Sequence, residues 1–173
     1  AGLRLAINIS KRQLFTGALT EQMLQDLAGH GLHAGDVVLE VTESVALRDV
    51  EHAAARLHEL RGAGFGLAID DFGTGYSSLS QLHEIPADEL KIDISFVRRI
   101  HDPRGLSMVQ AIVQIARTLG LKSVAEGVED AETADILCGL GVDILQGYHF
   151  GKPMSREAFA RWLAEPGHAP AAS

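Results

Sequence analysis

Short apolar runs alternate along the chain with longer segments in which apolar residues recur every three or four positions. The short runs are LRLAINI (3–9), VVLEV (37–41), FGLAID (65–70), ELKID (89–93), KSVAE (122–126) and VDILQ (142–146). The longer segments cover 20–31, 49–64 and 106–120, followed by two shorter ones at 131–140 and 155–164. Period-2 or continuous apolar runs predict strands, and the longer period predicts amphipathic helices. This alternation predicts a parallel sheet covered by helices.

Two packing predictions follow from the helical segments. In the helical segment at 20–31, Met23, Leu24 and Leu27 are expected to share the apolar face. In the segment at 131–140, the single cysteine, Cys138, is expected to be a packed helical thiol.

Residues capable of acid–base or metal chemistry stand at the end of nearly every predicted strand. They are Asn8, Glu40, Asp70, Asp71, Lys91, Asp93, Glu126 and Gln146. An open doubly wound sheet gathers such groups at one switch point, whereas a (β/α)8 barrel collects them from all strands at one mouth. The pattern therefore favours a TIM-like barrel with about six of the eight strands over residues 1–164, and a disordered tail at 165–173.

Length, composition and charge narrow the function classes. The chain has 173 residues, 46% of them hydrophobic, and no apolar run approaches the roughly 20 residues that span a bilayer. A formal charge of −8, with Arg98 and Arg99 as the densest basic pair, argues against a nucleic-acid polymer as partner. The lone cysteine suits a reducing compartment. We expect a cytoplasmic segment without direct membrane contact, although the full-length protein could still be membrane-anchored.

The acids of DDFGTG are candidate metal ligands. Asn8, Glu40 and Asp70 offer oxygen donors, which suit Mg²⁺ or Mn²⁺, and Asp71 would allow a second ion. The alternative is an Asp–Gly turn in which one acid caps the next helix. The eight histidines show no metal-ligand spacing, which disfavours zinc.

The remaining strand-end residues suggest catalytic roles beside the acids. In LKID, alternation puts Lys91 and Asp93 on one face of a strand, where Lys91 could hold a water or offset charge on a phosphate. The alternative is an ordinary half-exposed strand. Glu126 could be a metal ligand or general base supported by Glu129, which could equally be an acid that favours a helix N-terminus.

Six motifs follow one another in an order and at spacings that carry more information than any one of them. They are INISKRQL, LEVTES, DDFGTGYSSLSQL, LKIDISFV, AEGVED and QGYHFGKP, from about residue 3 to residue 164. Together they closely resemble the EAL domain, the family of cyclic di-GMP phosphodiesterases. The resemblance implies a barrel enzyme that hydrolyses cyclic di-GMP to linear pGpG with two Mg²⁺ or Mn²⁺ ions.

The resemblance also assigns roles to individual positions. It implies metal ligation by Asn8, Glu40, Asp70, Asp71 and Asp93. It implies catalytic or supporting roles for Lys91, Glu126 and Glu129, and substrate contacts for Gln146 and Asp93. Glu43 matches a glutamate that steadies the loop at 72–79, which the family ties to dimerisation and regulation and which contains Phe72, Gly73, Thr74 and Gly75. Sensor or GGDEF-type domains are expected upstream.

The Glu-Ala-Leu motif that names the family, and the substrate-binding arginine after it, do not occur in the 173 residues. We expect the chain to begin after that strand, as the C-terminal three-quarters of the barrel. On its own it would then show weak or no turnover and an open barrel edge. The alternative functions are a catalytically weak or inactive cyclic di-GMP receptor or regulatory module, and another metal-dependent barrel acting on phosphorylated metabolites.

Overall fold

The computed structural model describes residues 3–48, 50–75 and 79–164. Its strands are β1 (Leu5–Asn8), β2 (Val37–Thr42), β3 (Gly66–Phe72), β4 (Glu89–Ile92), β5 (Lys122–Ala125) and β6 (Ile144–Leu145). Its helices are α1 (Lys11–Leu14), α2 (Leu19–Gly29), α3 (Glu43–Arg48), α4 (Val50–Gly62), α5 (Leu79–His83), α6 (Ile94–Val97), α7 (Pro103–Leu119), α8 (Ala131–Leu140) and α9 (Arg156–Ala164), and a 3₁₀ turn lies at Ala34–Asp36. Each predicted strand and long helix is present.

The six strands pair in parallel in chain order and form a half-barrel. This confirms the predicted incomplete barrel. Every crossover passes through helical structure, as parallel pairing requires. Since all strands run the same way, their carboxyl ends lie at one mouth of the half-barrel.

The two faces of the sheet differ in character. One face packs against the helices in the main core, with Leu39, Leu67, Ile69, Leu90 and Ile92 nearly inaccessible to solvent. The other face carries the alternate residues and mixes small apolar side chains with buried charges, which are Val38, Glu40, Ala68, Asp70, Glu89, Lys91 and Val124. Period-2 alternation thus directs apolar residues to the helices and ionisable residues to the barrel interior.

The structure corrects several predicted boundaries and packing details. The predicted strands 89–93 and 122–126 end one residue early, so Asp93 and Glu126 lie in the connections that follow β4 and β5. Leu24 is 37% exposed, and α2 contacts the core through Met23 and Leu27 instead. Cys138 is exposed and not packed, because it lies on the outer side of α8. The short helices α1, α3, α5 and α6 were not predicted, because helices of four to six residues carry too few turns for a periodic signal.

No described helix has the length and apolar character to cross a membrane. The predicted tail at 165–173 lies outside the described residues.

One glycine in α7 provides a test of this packing. Gly105 is buried in the first turn of α7, and a Cβ there would overlap the carbonyl oxygen of Arg99. We expect Gly105→Ala to lower the free energy of unfolding by about 2–3 kcal/mol, because the backbone has to shift to admit one methyl group. Urea unfolding followed by circular dichroism measures the change.

Gly139 provides the matched control. It lies in α8 with no heavy atom within 4 Å of an added Cβ, so Gly139→Ala is expected to stabilise the protein by about 0.5–1 kcal/mol. Equal stability of the two variants would contradict the packing assigned to Gly105.

Candidate active site

Lys91 lies at the centre of the mouth of the half-barrel. Its side chain is buried, and its Nζ lies 2.7 Å from Glu40 Oε1, 3.1 Å from Asp70 Oδ1 and 2.7 Å from Glu126 Oε1. These three acids come from β2, β3 and the connection after β5, so four consecutive strands contribute to one ionic cluster. The structure brings together four residues that the sequence placed at separate strand ends.

The charges of this cluster perturb one another. Burial acts to lower the pKa of Lys91, but its hydrogen bonds to Glu126 and Glu40 outweigh that effect and raise the pKa above its ordinary value. Burial also raises the pKa of Glu126, although the hydrogen bond and charge of Lys91 oppose the rise. The lysine is therefore a permanent cation, and Glu126 is a carboxylate of increased basicity.

Asp70 and Asp71 reach the same site only because β3 is irregular. Consecutive residues of a regular strand point to opposite faces. Between Ile69 and Phe72, three residue steps of β3 stand opposite two of β4, which is a β-bulge, and Asp71 has a φ of +56°. Its backbone N–H donates to Asp70 Oδ1 at 3.0 Å. The bulge re-aims one of the two carboxylates, so both contribute to the mouth.

The left-handed backbone of Asp71 gives a testable separation of charge from conformation. Asn tolerates this conformation, whereas a β-branched residue does not. In metal-free buffer we expect Asp71→Asn to keep or slightly raise the free energy of unfolding, because it removes repulsion with Asp70 and Asp93, and Asp71→Val to lower it by about 1–3 kcal/mol. Chemical denaturation of the two variants checks this, and equal stability would mean that the bulge is not strained.

One group of carboxylates has the spacing of a metal site. Oxygens of Asp70, Asp71 and Glu126 all lie within 4.8 Å of one another. The pKa of Asp71 is raised by burial, then by the negative charges of Asp70 and Asp93. Mutual repulsion of this kind is relieved when a cation binds between the carboxylates.

The group differs in membership from the ligand set predicted from sequence. Asp70 and Asp71 are common to both, and Glu126, which the sequence offered as a metal ligand or general base, is the third member. Glu40 contacts Lys91, as Asp70 and Glu126 also do. Asn8 is the last residue of β1 and pairs in register with Glu40 of β2. The side chain of Asn8 is exposed. Asp93 caps α6 by accepting from the Ser95 N–H at 2.9 Å, yet lies near enough to raise the pKa of Asp71. Asp93 is therefore a neighbour of the group of three carboxylates, Glu40 is linked to it through Lys91, and Asn8 lies beside Glu40.

Glu43 anchors the segment that follows the paired aspartates. It is buried at the start of α3, and its Oε2 accepts from the Gly73 N–H at 2.8 Å. Gly73 has a φ of +96°, and a Cβ on Gly75 would lie 2.9 Å from Glu43 Oε1. The two glycines therefore allow the backbone to lie directly on the carboxylate.

Two further residues of this segment were singled out by the sequence. Phe72 is buried in the core, and the Thr74 hydroxyl donates to the Asp71 carbonyl at 2.9 Å. Residues 76–78 of the predicted loop lie outside the described residues.

A cavity of about 290 Å³ opens beside Glu126. It is lined by residues of three connections, among them Arg98, Glu126, Glu129, Gln146 and Tyr148. Glu129 and Gln146, two candidate site residues, thus border the same cavity as Glu126. Sequence reasoning noted Arg98 only as half of a basic pair, because nothing in the local pattern indicates which of two adjacent arginines faces a cavity.

The family model described as the EAL domain matches residues 1–153. The chain belongs to the EAL domain family. This confirms the resemblance inferred from the six motifs.

Relatives of this EAL domain include the bifunctional diguanylate cyclase/cyclic di-GMP phosphodiesterase MucR of Pseudomonas aeruginosa, 44% identical over 91% of the chain and 23% of MucR. A solved structure of the PaMucR phosphodiesterase in complex with c-di-GMP superposes with a TM-score of 0.86 and 43% identity, covering 90% of this chain and 64% of that one. Manganese and calcium complexes of Klebsiella pneumoniae BlrP1 with cy-diGMP superpose with a TM-score of 0.77 and 36% identity. They cover 84% of this chain and 37% of that one.

The chain spans about a quarter of the length of such curated relatives. Structures of related EAL domains contain divalent metal ions, and the acidic group at the mouth is consistent with that chemistry.

Proposed function

We propose that this EAL domain hydrolyses cyclic di-GMP to linear pGpG in a reaction that depends on Mg²⁺ or Mn²⁺. The observation that carries the proposal is the cluster in which Lys91 contacts Glu40, Asp70 and Glu126 beside Asp71. Relatives that share over two-fifths of the sequence are named as cyclic di-GMP phosphodiesterases. A mouth rich in carboxylates needs cations to accept a phosphodiester, since the two would otherwise repel each other.

The residues at the mouth fit such ions. The donors are all oxygens of Asp70, Asp71 and Glu126, and hard oxygen ligands are those that Mg²⁺ and Mn²⁺ prefer. Asp93 lies beside Asp71, Glu40 shares Lys91 with Asp70 and Glu126, and Asn8 pairs in register with Glu40. We infer that these residues hold two ions. Bound divalent ions lower the pKa of a water molecule and stabilise charge on the phosphate oxygens.

The chain's own residues supply positioning and proton transfer. Glu126, whose burial raises its pKa, accepts a proton from the attacking water as the oxygen of that water bonds to phosphorus. The bond from phosphorus to one ribose oxygen breaks, and that oxygen leaves with the bonding electron pair and takes a proton from solvent. Lys91, a permanent cation, stabilises the negative charge that develops on the phosphate. Asp93, Glu129 and Gln146 contact and orient the substrate.

The test is incubation of the purified complete EAL domain, with the Glu-Ala-Leu strand included, with cyclic di-GMP and Mn²⁺, with products resolved by chromatography. Formation of pGpG is expected, and excess chelator is expected to stop it until Mn²⁺ or Mg²⁺ is restored. Tight binding of intact cyclic di-GMP without pGpG would favour the receptor alternative. Turnover of another phosphorylated metabolite with none of cyclic di-GMP would favour a different barrel enzyme.

The regulatory setting is part of the same proposal. We place the contacts of a homodimer in the loop that follows Asp71, which Glu43 anchors at Gly73. Sensor or GGDEF-type domains are expected elsewhere in the protein, consistent with relatives about four times as long as this chain. A cytoplasmic location is supported by the single cysteine.

A further inference from the structure

We infer that Phe96 and Ile94 of the short helix α6 are positioning residues for the metal site. They fix the distance between the connection that bears Asp71 and the connection that bears Glu126. Both side chains are hydrocarbons without a ligand atom, so they act through the carboxylates and do not touch the ion. This inference rests on the proposed function, since it concerns the divalent ions on which that function depends.

The sheet alone does not fix two of the three carboxylates. Regular pairing of β3 with β4 is interrupted after Ile69, just before Asp71, and Glu126 follows the last residue of β5. The Glu126 N–H donates to the Ile92 carbonyl at 3.3 Å, which is long for a hydrogen bond. A site whose residues lie outside the regular ladder needs packing from neighbouring side chains to hold its geometry.

Repulsion makes that need greater. Oxygens of Asp70, Asp71 and Glu126 lie within 4.8 Å of one another, and like charges at this separation repel. Before a cation binds, the backbone has to hold these groups together against the repulsion. A group of ligands that is already held in place binds its ion more tightly, because less ordering remains to be done on binding.

Phe96 packs on the connection that follows Asp71. A Cβ on Gly73 would lie 2.9 Å from Cε2 of Phe96 and 3.3 Å from Cδ1 of Ile112 in α7. The edge of the aromatic ring therefore fills the space in which a side chain at position 73 would lie. The Gly73 N–H also donates to Glu43, so the backbone two residues after Asp71 is held by a hydrogen bond and by an aromatic ring.

Ile94 packs in the same manner on the connection that follows Glu126. A Cβ on Gly127 would overlap Cγ1 and Cδ1 of Ile94, and Gly127 has a φ of +69°. Glycine at this position lets the backbone lie directly against the isoleucine side chain. The residue next to Glu126 is thus fixed by a contact from α6.

The place of α6 in the fold explains why it reaches both connections. It follows β4, which lies between β3 and β5 in the sheet. Residues two positions apart point about 200° apart around a helix, so Ile94 and Phe96 project to opposite sides. Asp93 caps α6 at its start, and Val97 is buried in the main core at its end. The helix is therefore anchored at both ends while its two side chains contact the neighbouring connections.

The test is calorimetric titration of Mn²⁺ into the purified complete EAL domain, with the Glu-Ala-Leu strand included. We expect Phe96→Ala and Ile94→Ala each to weaken Mn²⁺ binding about tenfold or more, which is typical when groups that orient metal ligands are removed. Phe96→Leu fills part of the vacated space and should recover part of the loss. It also carries the test if the alanine variant does not fold, which thermal unfolding in chelator shows.

Kinetics gives a second measurement that a merely structural role would not change. In Phe96→Ala the Mn²⁺ concentration that gives half the maximal rate should rise about tenfold or more. The KM for cyclic di-GMP at saturating Mn²⁺ should change less than about threefold, because no contact with the dinucleotide is removed.

Phe65→Leu is the matched control for Phe96→Leu. Phe65 precedes β3 at the end opposite the metal site and is 2% exposed in the same core. Phe65→Leu should lower the unfolding midpoint at least as far as Phe96→Leu does, yet bind Mn²⁺ as tightly as wild type. Equal weakening of Mn²⁺ binding in the two variants would overturn the inference, since general destabilisation would then explain it.

The two remaining outcomes separate the inference from the proposed function. If wild type binds no Mn²⁺ and forms no pGpG, the proposed function fails and the inference fails with it. If wild type binds Mn²⁺ and forms pGpG, but the Phe96 and Ile94 variants bind Mn²⁺ as tightly, only the positioning role is overturned.

Discussion

Replacement of Lys91 with methionine is expected to abolish hydrolysis of cyclic di-GMP. Lys91 is the cation that contacts three carboxylates at the mouth, and methionine keeps its length without its charge. Loss of one preorganised charge-stabilising group typically lowers kcat by about 10²–10³-fold. Chromatographic assay of pGpG over long incubation measures the residual rate.

The same substitution should also change stability in a manner that depends on metal. Without metal, Glu40 and Asp70 would remain buried and Glu126 half-buried with no ammonium among them, which typically costs about 3 kcal/mol or more. Thermal unfolding in chelator should therefore show a lower midpoint for Lys91→Met than for wild type, and added Mn²⁺ should narrow the gap.

Lys122→Met is the matched control, because Lys122 is an exposed lysine at the opposite end of the neighbouring strand β5. It should keep wild-type turnover and show no metal-dependent change in its unfolding midpoint relative to wild type. A Lys91→Met protein that turned over at more than about one-tenth of the wild-type rate would show that the charge of Lys91 is not needed for the reaction.

Replacement of Glu126 with glutamine is expected to lower kcat by about 10²–10⁴-fold and to leave the fold intact. The amide keeps the shape of the side chain and can still accept a hydrogen bond from Lys91, which contacts Glu126 at 2.7 Å. It cannot take a proton from water. Kinetics and thermal unfolding together should show a large loss in kcat with little change in the unfolding midpoint.

Glu132→Gln is the control for this substitution. Glu132 lies near Glu126 in sequence but is 79% exposed in α8, where it faces His101 at 3.9 Å. It should retain wild-type kinetics. If Glu126→Gln retained turnover within tenfold of wild type, the assignment of Glu126 as general base would be wrong.

Much of the fold could be predicted from the alternation of apolar and polar residues. Strand residues such as Leu90 and Ile92 pack against helices, while Lys91 between them faces the barrel interior, because side chains alternate along a strand. The same rule placed Glu40 and Asp70 on the interior face. The short helices were not predicted because they carry too few turns for a periodic signal. The exposure of Cys138 and the true ends of β4 and β5 were not predicted because each depends on contacts distant in sequence.

In the candidate site, the sequence predicts the residues but not their contacts. The sequence listed the acids and the lysine but could not tell which of them would touch. Lys91 contacts Glu40, Asp70 and Glu126 at separations of 51, 21 and 35 residues along the chain, and only the curvature of the sheet sets those distances.

The residue types, their order and their strand-end positions were determined by the sequence itself, and with them the EAL family and the parallel half-barrel. Three features were decided only by the tertiary structure. The β-bulge brings Asp71 to the same side as Asp70, Glu126 joins these two acids, and Arg98 rather than Arg99 faces the cavity. The physical reason is that local periodicity specifies which face of an element a residue occupies, whereas packing between elements specifies what that face meets.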